Sequence, residues 1–491
     1  MRWWACLSGA ALALCALSLG MIFTRSSPES YDAQIMFQVT QSMVDHGTFT
    51  VHQDPLGMNT PYSIFGIGMS LLMAFPYWVA EHLRQNPGAF VMAVNTAVVS
   101  AIAVTVFVLG LATRATALQS LAAAALTVFG TLLLPYAATG FSEPSVALAI
   151  ALGLLGVQTK RPVVAGAAAG FALLMRVDSA LLVVPALGVA AWVAGNRSWQ
   201  AALRFSAALM PAVIVTAAYD TLRFGAPWRT GYFFATFNHP LAAGLYGLLL
   251  SPAAGLFIYV PLLPVALVGL FLAMRRLPLL ASTALVLLGV RIVVYAVWFG
   301  WAAYWTWGPR YLVPAMAVLA VGLIEVCRRW SGLHLVLKSA VAFVLAVSGL
   351  VQVVGASVAY DHAVMFSALL RAHPPVQGRG FITDWALPST QAVFDRVYFD
   401  WSLWPIPDEA RDLMQGRYLS SQWLAPTPNF TVIAALLICG ALAGAIAVLA
   451  AHRSDGRAIG AGAVRRHRQW RQHDGHASGG PECGQPFHRA S

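Results

Sequence analysis

Glu29-Ser30-Tyr31-Asp32 opens the first long polar break in this chain. The break continues through Val44-Asp45-His46-Gly47 and Tyr62-Ser63-Ile64-Phe65-Gly66-Ile67-Gly68 to Leu72. It follows an apolar run at 3–23 and precedes another at 89–112, and it sets two carboxylates, Glu29 and Asp32, directly after the first run. A polar stretch between apolar runs of about 20 residues reads as a loop between membrane-crossing helices. The fold then depends on how many such runs there are and which side each loop faces.

The 491 residues are 59% hydrophobic and only 10% charged, with a mean hydropathy of +0.69. So few charges cannot cover the surface of a water-soluble protein. The apolar runs are continuous rather than alternating, which excludes a β-barrel. Spans are expected at 3–23, 89–112, 118–138, 144–158, 162–175, 179–195, 204–222, 254–273, 279–298, 311–326, 335–357 and 429–451. The chain therefore reads as an all-α polytopic membrane protein with about 12 transmembrane helices. Residues 3–23 follow Arg2 as a signal peptide would, but no small-x-small cleavage site comes after them, so they read as a retained first helix.

Charge sets the orientation. Arg114, Lys160-Arg161, Arg197, Arg204, Arg275-Arg276, Arg328-Arg329 and the Arg-rich tail all fall on one side of a twelve-span arrangement. Glu29, Asp32, Asp45, Asp54, Glu81, Glu143, Asp178 and the acidic residues from Asp361 to Asp412 fall on the other. The positive-inside rule places the basic side and both termini in the cytoplasm. Residues 1–453 form one transmembrane unit, with long outer loops at 24–88, 223–253 and 358–428. The basic tail 454–491 lacks the apolar residues to bury a core and reads as disordered and cytoplasmic. The net charge of +11 is assigned to topology and membrane lipids, not to nucleic acid. The five cysteines show neither metal-ligand nor disulfide spacing, and there is no P-loop or GxGxxG to power a pump.

Ionisable groups at membrane depth are costly and mark function. Glu29 and Asp32 lie just beyond the first span. Glu143 sits in the turn Gly140-Phe141-Ser142-Glu143-Pro144. Arg176 and Asp178 share Met175-Arg176-Val177-Asp178, Arg291 lies within the ninth span, and Arg310 follows a tryptophan-rich stretch from Trp298 to Trp307. All belong to the outer level. Carboxylates there can deprotonate a hydroxyl. Arginines can hold a phosphate as its charge grows. Aromatic faces suit sugar rings and a lipid groove. The same residues also have plainer readings: Asp178 as the ion-pair partner of Arg176, Glu143 as a helix N-terminal charge, the tryptophans as an interfacial belt, and His239 as an ordinary loop histidine.

Several segments, taken in order, resemble the GT-C class of integral membrane glycosyltransferases, which includes protein O-mannosyltransferases and lipid A aminoarabinose transferases. Tyr31-Asp32 followed by 33–48 resembles that class's first outer loop, in which an acidic residue precedes an amphipathic helix. Tyr62 to Leu72 resembles a Tyr-Ser-Lys-Tyr-Gly-x-Gly-x-Ser-Leu-Leu pattern of bacterial members. Phe141-Ser142-Glu143-Pro144, Phe224 to Tyr232, Leu250 to Pro261 and Trp305 to Pro314 resemble later landmarks. The chain departs from the pattern twice: Ile64 stands where a basic residue is expected, and Ala33 follows Asp32 where the class often has a second acid.

The resemblance implies transfer of a sugar from a polyprenyl-phosphate carrier to an extracytoplasmic glycan, lipid or protein, usually with inversion, in the inner membrane of a bacterium. It implies Asp32 as base with Glu29 as the alternative, and Glu143 as a second acid. Arg176, Arg310 and Arg229 are implied for the donor phosphate, and Tyr62, Trp301 and Trp305 for the sugar and lipid groove. Some members of the class use a divalent cation, for which Asp32 and Glu143 are the candidate ligands here. A lipid-linked-sugar flippase and a glycan polymerase or ligase are the competing functions.

Overall fold

A computed structural model of the chain describes residues 2–52, 61–232, 235–304, 306–360, 364–372, 387–423 and 429–474; beyond residue 455 only the backbone of the last helix is described. The described residues are helical and carry no strand, only isolated bridges such as Thr50 with Tyr62. Seven helices are long and apolar enough to cross a membrane: Trp3–Met21, Pro87–Ala112, Trp199–Phe224, Pro278–Ala296, Arg310–Gly332, Leu335–Ser357 and Phe430–Asp455. Six shorter apolar helices of 10–17 residues complete the bundle.

Each of the twelve expected spans has an apolar helix at its place, but three of them are broken. Span 118–138 divides into α5 (Ala117–Phe129) and α6 (Leu133–Ala137). Span 179–195 divides into α9 (Ser179–Leu182) and α10 (Val184–Ala194), and 254–273 into α13 (Leu256–Tyr259) and α14 (Leu263–Ala273). Two of these second pieces carry a proline, Pro185 or Pro264, in their first turn. Proline suits a helix start, but it lacks the N–H needed to continue a helix from upstream. Likewise, Pro314 lies in a 3-10 stretch, Arg310–Ala315, that leads into α16 (Met316–Arg329).

Small residues let the helices approach closely. A Cβ added to Gly322 of α16 would lie 2.0 Å from the carbonyl oxygen of Ala266 on α14. In an apolar bundle, backbone approach of this kind provides the packing that burial cannot.

The first polar break folds into two helices between α1 (Arg2–Met21) and α4 (Pro87–Ala112). They are α2 (Tyr31–His46) and α3 (Gly68–His82). Ser30 caps α2, its hydroxyl accepting from the Ala33 amide at 3.3 Å, and Gly47 ends it at φ 65°. The last helix, α21 (Phe430–Asp474), packs along α1. It continues past residue 453, where the disordered tail is expected to begin. Asp455 offers a reason: its carboxylate accepts from the Ala117 and Leu118 amides at 2.8 and 3.1 Å, anchoring α21 to the start of α5. Residues 475–491 lie outside the described residues.

Candidate active site

At the end of the bundle that carries the first polar break, a cavity of about 1000 Å³ opens between seven segments of chain. Ala33 at the start of α2 is fully buried against the turn before α7 (Glu143–Gln158): a Cβ on Gly140 would lie 2.6 Å from that of Ala33. This packing leaves no room for a second carboxylate at position 33. It also sets Asp32, in the first turn of α2, beside Phe141 and Glu143. Asn95 of α4 fixes the turn itself, donating to the Thr139 and Phe141 carbonyls at 2.6 and 2.7 Å.

Three carboxylates and three arginines form one alternating row. Asp32 meets Arg310 at 2.9 Å, and Arg310 Nε meets Glu143 at 3.3 Å. Glu143 meets Arg176 at 2.8 Å, Arg176 meets Asp178 at 3.3 Å, and Asp178 meets Arg291 at 3.9 Å. Each charge between the ends has an opposite charge on both sides, the arrangement under which buried ions are tolerated. Helix ends supply part of the field: Glu143 opens α7, while Arg176 directly follows α8 (Pro162–Met175).

Asp32 and Asp178 are the carboxylates of the row that keep solvent contact, at 18% and 26% side-chain exposure, against 1% for Glu143. Burial alone would raise the Asp178 carboxyl. Arg176, then Arg291 and the hydroxyl of Tyr295, outweigh that and hold it below the ordinary carboxylate range. Tyr295 of α15 (Pro278–Ala296) and Tyr311 stack with ring centres 4.3 Å apart, and the Arg176 and Arg310 guanidiniums lie 5.5 and 5.0 Å from the Tyr311 ring. The remaining wall is aromatic and aliphatic, including Phe65, Tyr232, Phe237 and Trp298.

The expected site residues divide clearly. Asp32, Glu29, Arg176 and Arg310 line the cavity. Glu29 pairs with Arg25 at 2.5 Å. Glu143 lies beneath the floor, with Oε2 buried and without a hydrogen-bond partner. A divalent cation does not fit between Asp32 and Glu143 as they stand, because the Arg310 guanidinium bridges them. Among the described residues no group of three or more His, Cys, Asp or Glu is placed to hold a metal.

Three expectations are corrected by position. Arg229 is exposed and outside the cavity, donating to the Phe224 carbonyl at 3.4 Å. Tyr62 pairs with Thr50 away from the lining. Trp301 is 1% exposed and packed in the core, because its indole N–H is used internally. Trp305 lies outside the described residues. Ile64, which replaces an expected basic residue, is buried and contributes an apolar wall. Tyr295 and Tyr311 were missed. Tyr295 stands four residues after Arg291 on the same helix, a spacing that shares a face and could have signalled it.

His239 is not an ordinary loop residue. It is buried, with Nδ1 3.0 Å from the Ala296 carbonyl and Nε2 3.0 Å from Asp395. Asp395, on the helix Pro388–Tyr398, also accepts from Trp301 Nε1 at 2.9 Å. Beside it, the His239 amide donates to Val297 and the Phe299 amide to Thr236. One carboxylate thus fastens the helix Pro388–Tyr398 to the strip that carries Phe237, Trp298 and Phe299 into the cavity. Asp395→Asn should loosen that wall, raising the KM for substrate about tenfold with little change in kcat. Steady-state kinetics on the membrane-reconstituted protein would check this; an unchanged KM would make the fastener irrelevant to the cavity.

No family model matches the chain, and no curated protein matches it. Among solved structures it is similar to ArnT from Cupriavidus metallidurans in the apo state, with TM-score 0.47 and 15% identity, covering 91% of this chain and 77% of that one. It is also similar to ArnT bound to undecaprenyl phosphate, with TM-score 0.47, 14% identity and the same coverage. A third likeness is to the archaeal oligosaccharyltransferase AglB from Archaeoglobus fulgidus in complex with an inhibitory peptide and a dolichol-phosphate. Its TM-score is 0.46 and its identity 12%, covering 83% of this chain and 60% of that one.

Proposed function

We propose that this protein is a membrane glycosyltransferase that moves a sugar from a polyprenyl-phosphate carrier to an acceptor hydroxyl at the extracytoplasmic face. The observation that carries this reading is the alternating row of charges, ending in a partly exposed Asp32, on the floor of a cavity with otherwise apolar and aromatic walls. A lipid phosphate with a sugar attached needs cations for its head and apolar wall for its chain, and both occur together here.

In this reading Asp32 is the base, chosen over Glu29, which is engaged with Arg25 at the rim. The acceptor oxygen attacks the anomeric carbon as its proton passes to Asp32. The bond from that carbon to the phosphate oxygen breaks, and the electron pair leaves with the polyprenyl phosphate. Arg310 and Arg176 stabilise the charge that grows on the departing oxygen. The transition state is oxocarbenium-like and the anomeric configuration inverts. The Tyr295–Tyr311 stack and the ring of Phe141, 4.5 Å from the Arg310 guanidinium, hold the arginines from the side.

Asp32 is tied to Arg310, so it is not free to accept a proton while that pair lasts. The donor phosphate competes for Arg310 and releases Asp32, and Arg310 keeps its second contact on Glu143. Donor binding therefore precedes activation of the acceptor.

The test is mass spectrometry of membrane lipids and envelope glycans from cells with and without the protein. The expected result is accumulation of a sugar-charged polyprenyl phosphate together with loss of that sugar from a glycan, lipid or protein. An unchanged profile would count against a transferase.

A further inference from the structure

The end of the bundle opposite the cavity carries a second charged cluster, which the transfer reaction does not use. Arg276 lies just before α15, whose far end carries Tyr295; the 19 residues between Pro278 and Ala296 separate the two ends by about 28 Å. Arg328 and Arg329 close α16, which begins near Arg310. All three arginines converge on one carboxylate. Glu325 accepts from Arg276 Nη2 at 3.0 Å and from Arg329 Nε at 2.9 Å, and Arg328 Nε lies 3.6 Å away.

Glu325 is buried to 4% side-chain exposure, whereas Arg276, Arg328 and Arg329 keep 29%, 28% and 49%. Backbone carbonyls fix the array further: Arg276 donates to Thr113 at 2.6 Å and Arg328 to Arg114 at 2.7 Å. Three cations on one anion leave a local excess of two positive charges. Positive charge needed only for topology can sit on mobile loop side chains. Here it is held in place by a buried anion, so little ordering entropy remains to be lost when an external anion docks.

We propose that Arg276, Arg328 and Arg329, organised by Glu325, form a binding site for the phosphate headgroup of an anionic membrane lipid in the leaflet opposite the cavity. The chemistry is forked guanidinium recognition of a phosphodiester at the end of the helix bundle. The lipid's acyl chains would lie along the exposed apolar face of α15, which carries Val286, Val290 and Val293. The proposal is independent of the transferase reading, since it concerns retention of a lipid at the other end of the protein.

The experiment is native mass spectrometry of the full chain released from phosphatidylcholine nanodiscs doped with phosphatidylglycerol. Wild type should retain one more phosphatidylglycerol than Arg328→Gln/Arg329→Gln, whose affinity should fall about tenfold or more. That double variant keeps the Arg276–Glu325 pair, so its thermal unfolding in undoped discs should match wild type. Glu325→Gln removes the anion that holds the three guanidiniums in place and should retain the lipid less well than wild type; unchanged retention in that variant would overturn the organising role of Glu325. Equal lipid retention by wild type and the double variant would overturn the site. Displacement of the retained lipid by millimolar inorganic phosphate would overturn its assignment to a lipid.

Discussion

Asp32→Asn should abolish transfer, lowering kcat by about 10³-fold, while the protein still inserts and folds. The amide keeps an oxygen for Arg310, so the ion row loses one charge but not its geometry. What it loses is the ability to take the acceptor's proton. Single-turnover assay of sugar release from a polyprenyl-phosphate donor in nanodiscs would read this directly. Glu29→Gln is the companion measurement, because Glu29 pairs with Arg25 and stands outside the row; it should cost less than about tenfold. Normal turnover in Asp32→Asn would sink the base assignment. The reverse pattern, with Glu29→Gln dead and Asp32→Asn active, would move the role to Glu29.

Arg310→Lys should lower kcat by about 10²-fold and weaken binding of undecaprenyl phosphate. Arg310 touches Asp32 with Nη1 and Glu143 with Nε at once, a fork that an ammonium cannot copy. Lysine retains the charge, so neither carboxylate is left uncompensated and the fold should survive. Deleting the charge altogether would leave Arg176 as the remaining cation on Glu143 and take away the partner of Asp32, breaking the row. The informative comparison is lipid-phosphate binding against turnover. If the swap of partners is correct, the lysine variant should also lose the dependence of acceptor activation on prior donor binding. Full activity with lysine would leave the fork without a catalytic purpose.

Much of this protein was legible in the chain itself. The all-helical membrane class followed from 59% hydrophobic residues in runs of bilayer length. Asp32, Glu143, Arg176, Arg291 and Arg310 stood out because charge near hydrocarbon is costly, and the five lie in one row of ion pairs with Asp178. The plain reading of Asp178 as partner of Arg176 also holds, although that pair is part of something longer.

The misreadings have a common origin. Trp301 and Tyr62 were assigned by residue type and neighbourhood, and an aromatic ring's direction is not encoded in either. Whether Trp301 faces the cavity or Asp395 depends on a segment 94 residues away. His239 was ordinary by sequence because its partner is 156 residues distant. Breaks within spans were not foreseen at prolines, where apolar composition continues but the hydrogen-bond ladder cannot.

Sequence by itself determined that this chain crosses a membrane repeatedly and which of its charges are too costly to be incidental. The reason is that transfer of each side chain out of water is a local quantity, summed residue by residue along a run. Tertiary structure alone decided that these charges alternate in sign, that Arg310 stands between Asp32 and Glu143, and that Ala33 must be small against Gly140. Pair energies depend on separations of a few ångströms between segments far apart in the chain, and only packing sets those distances.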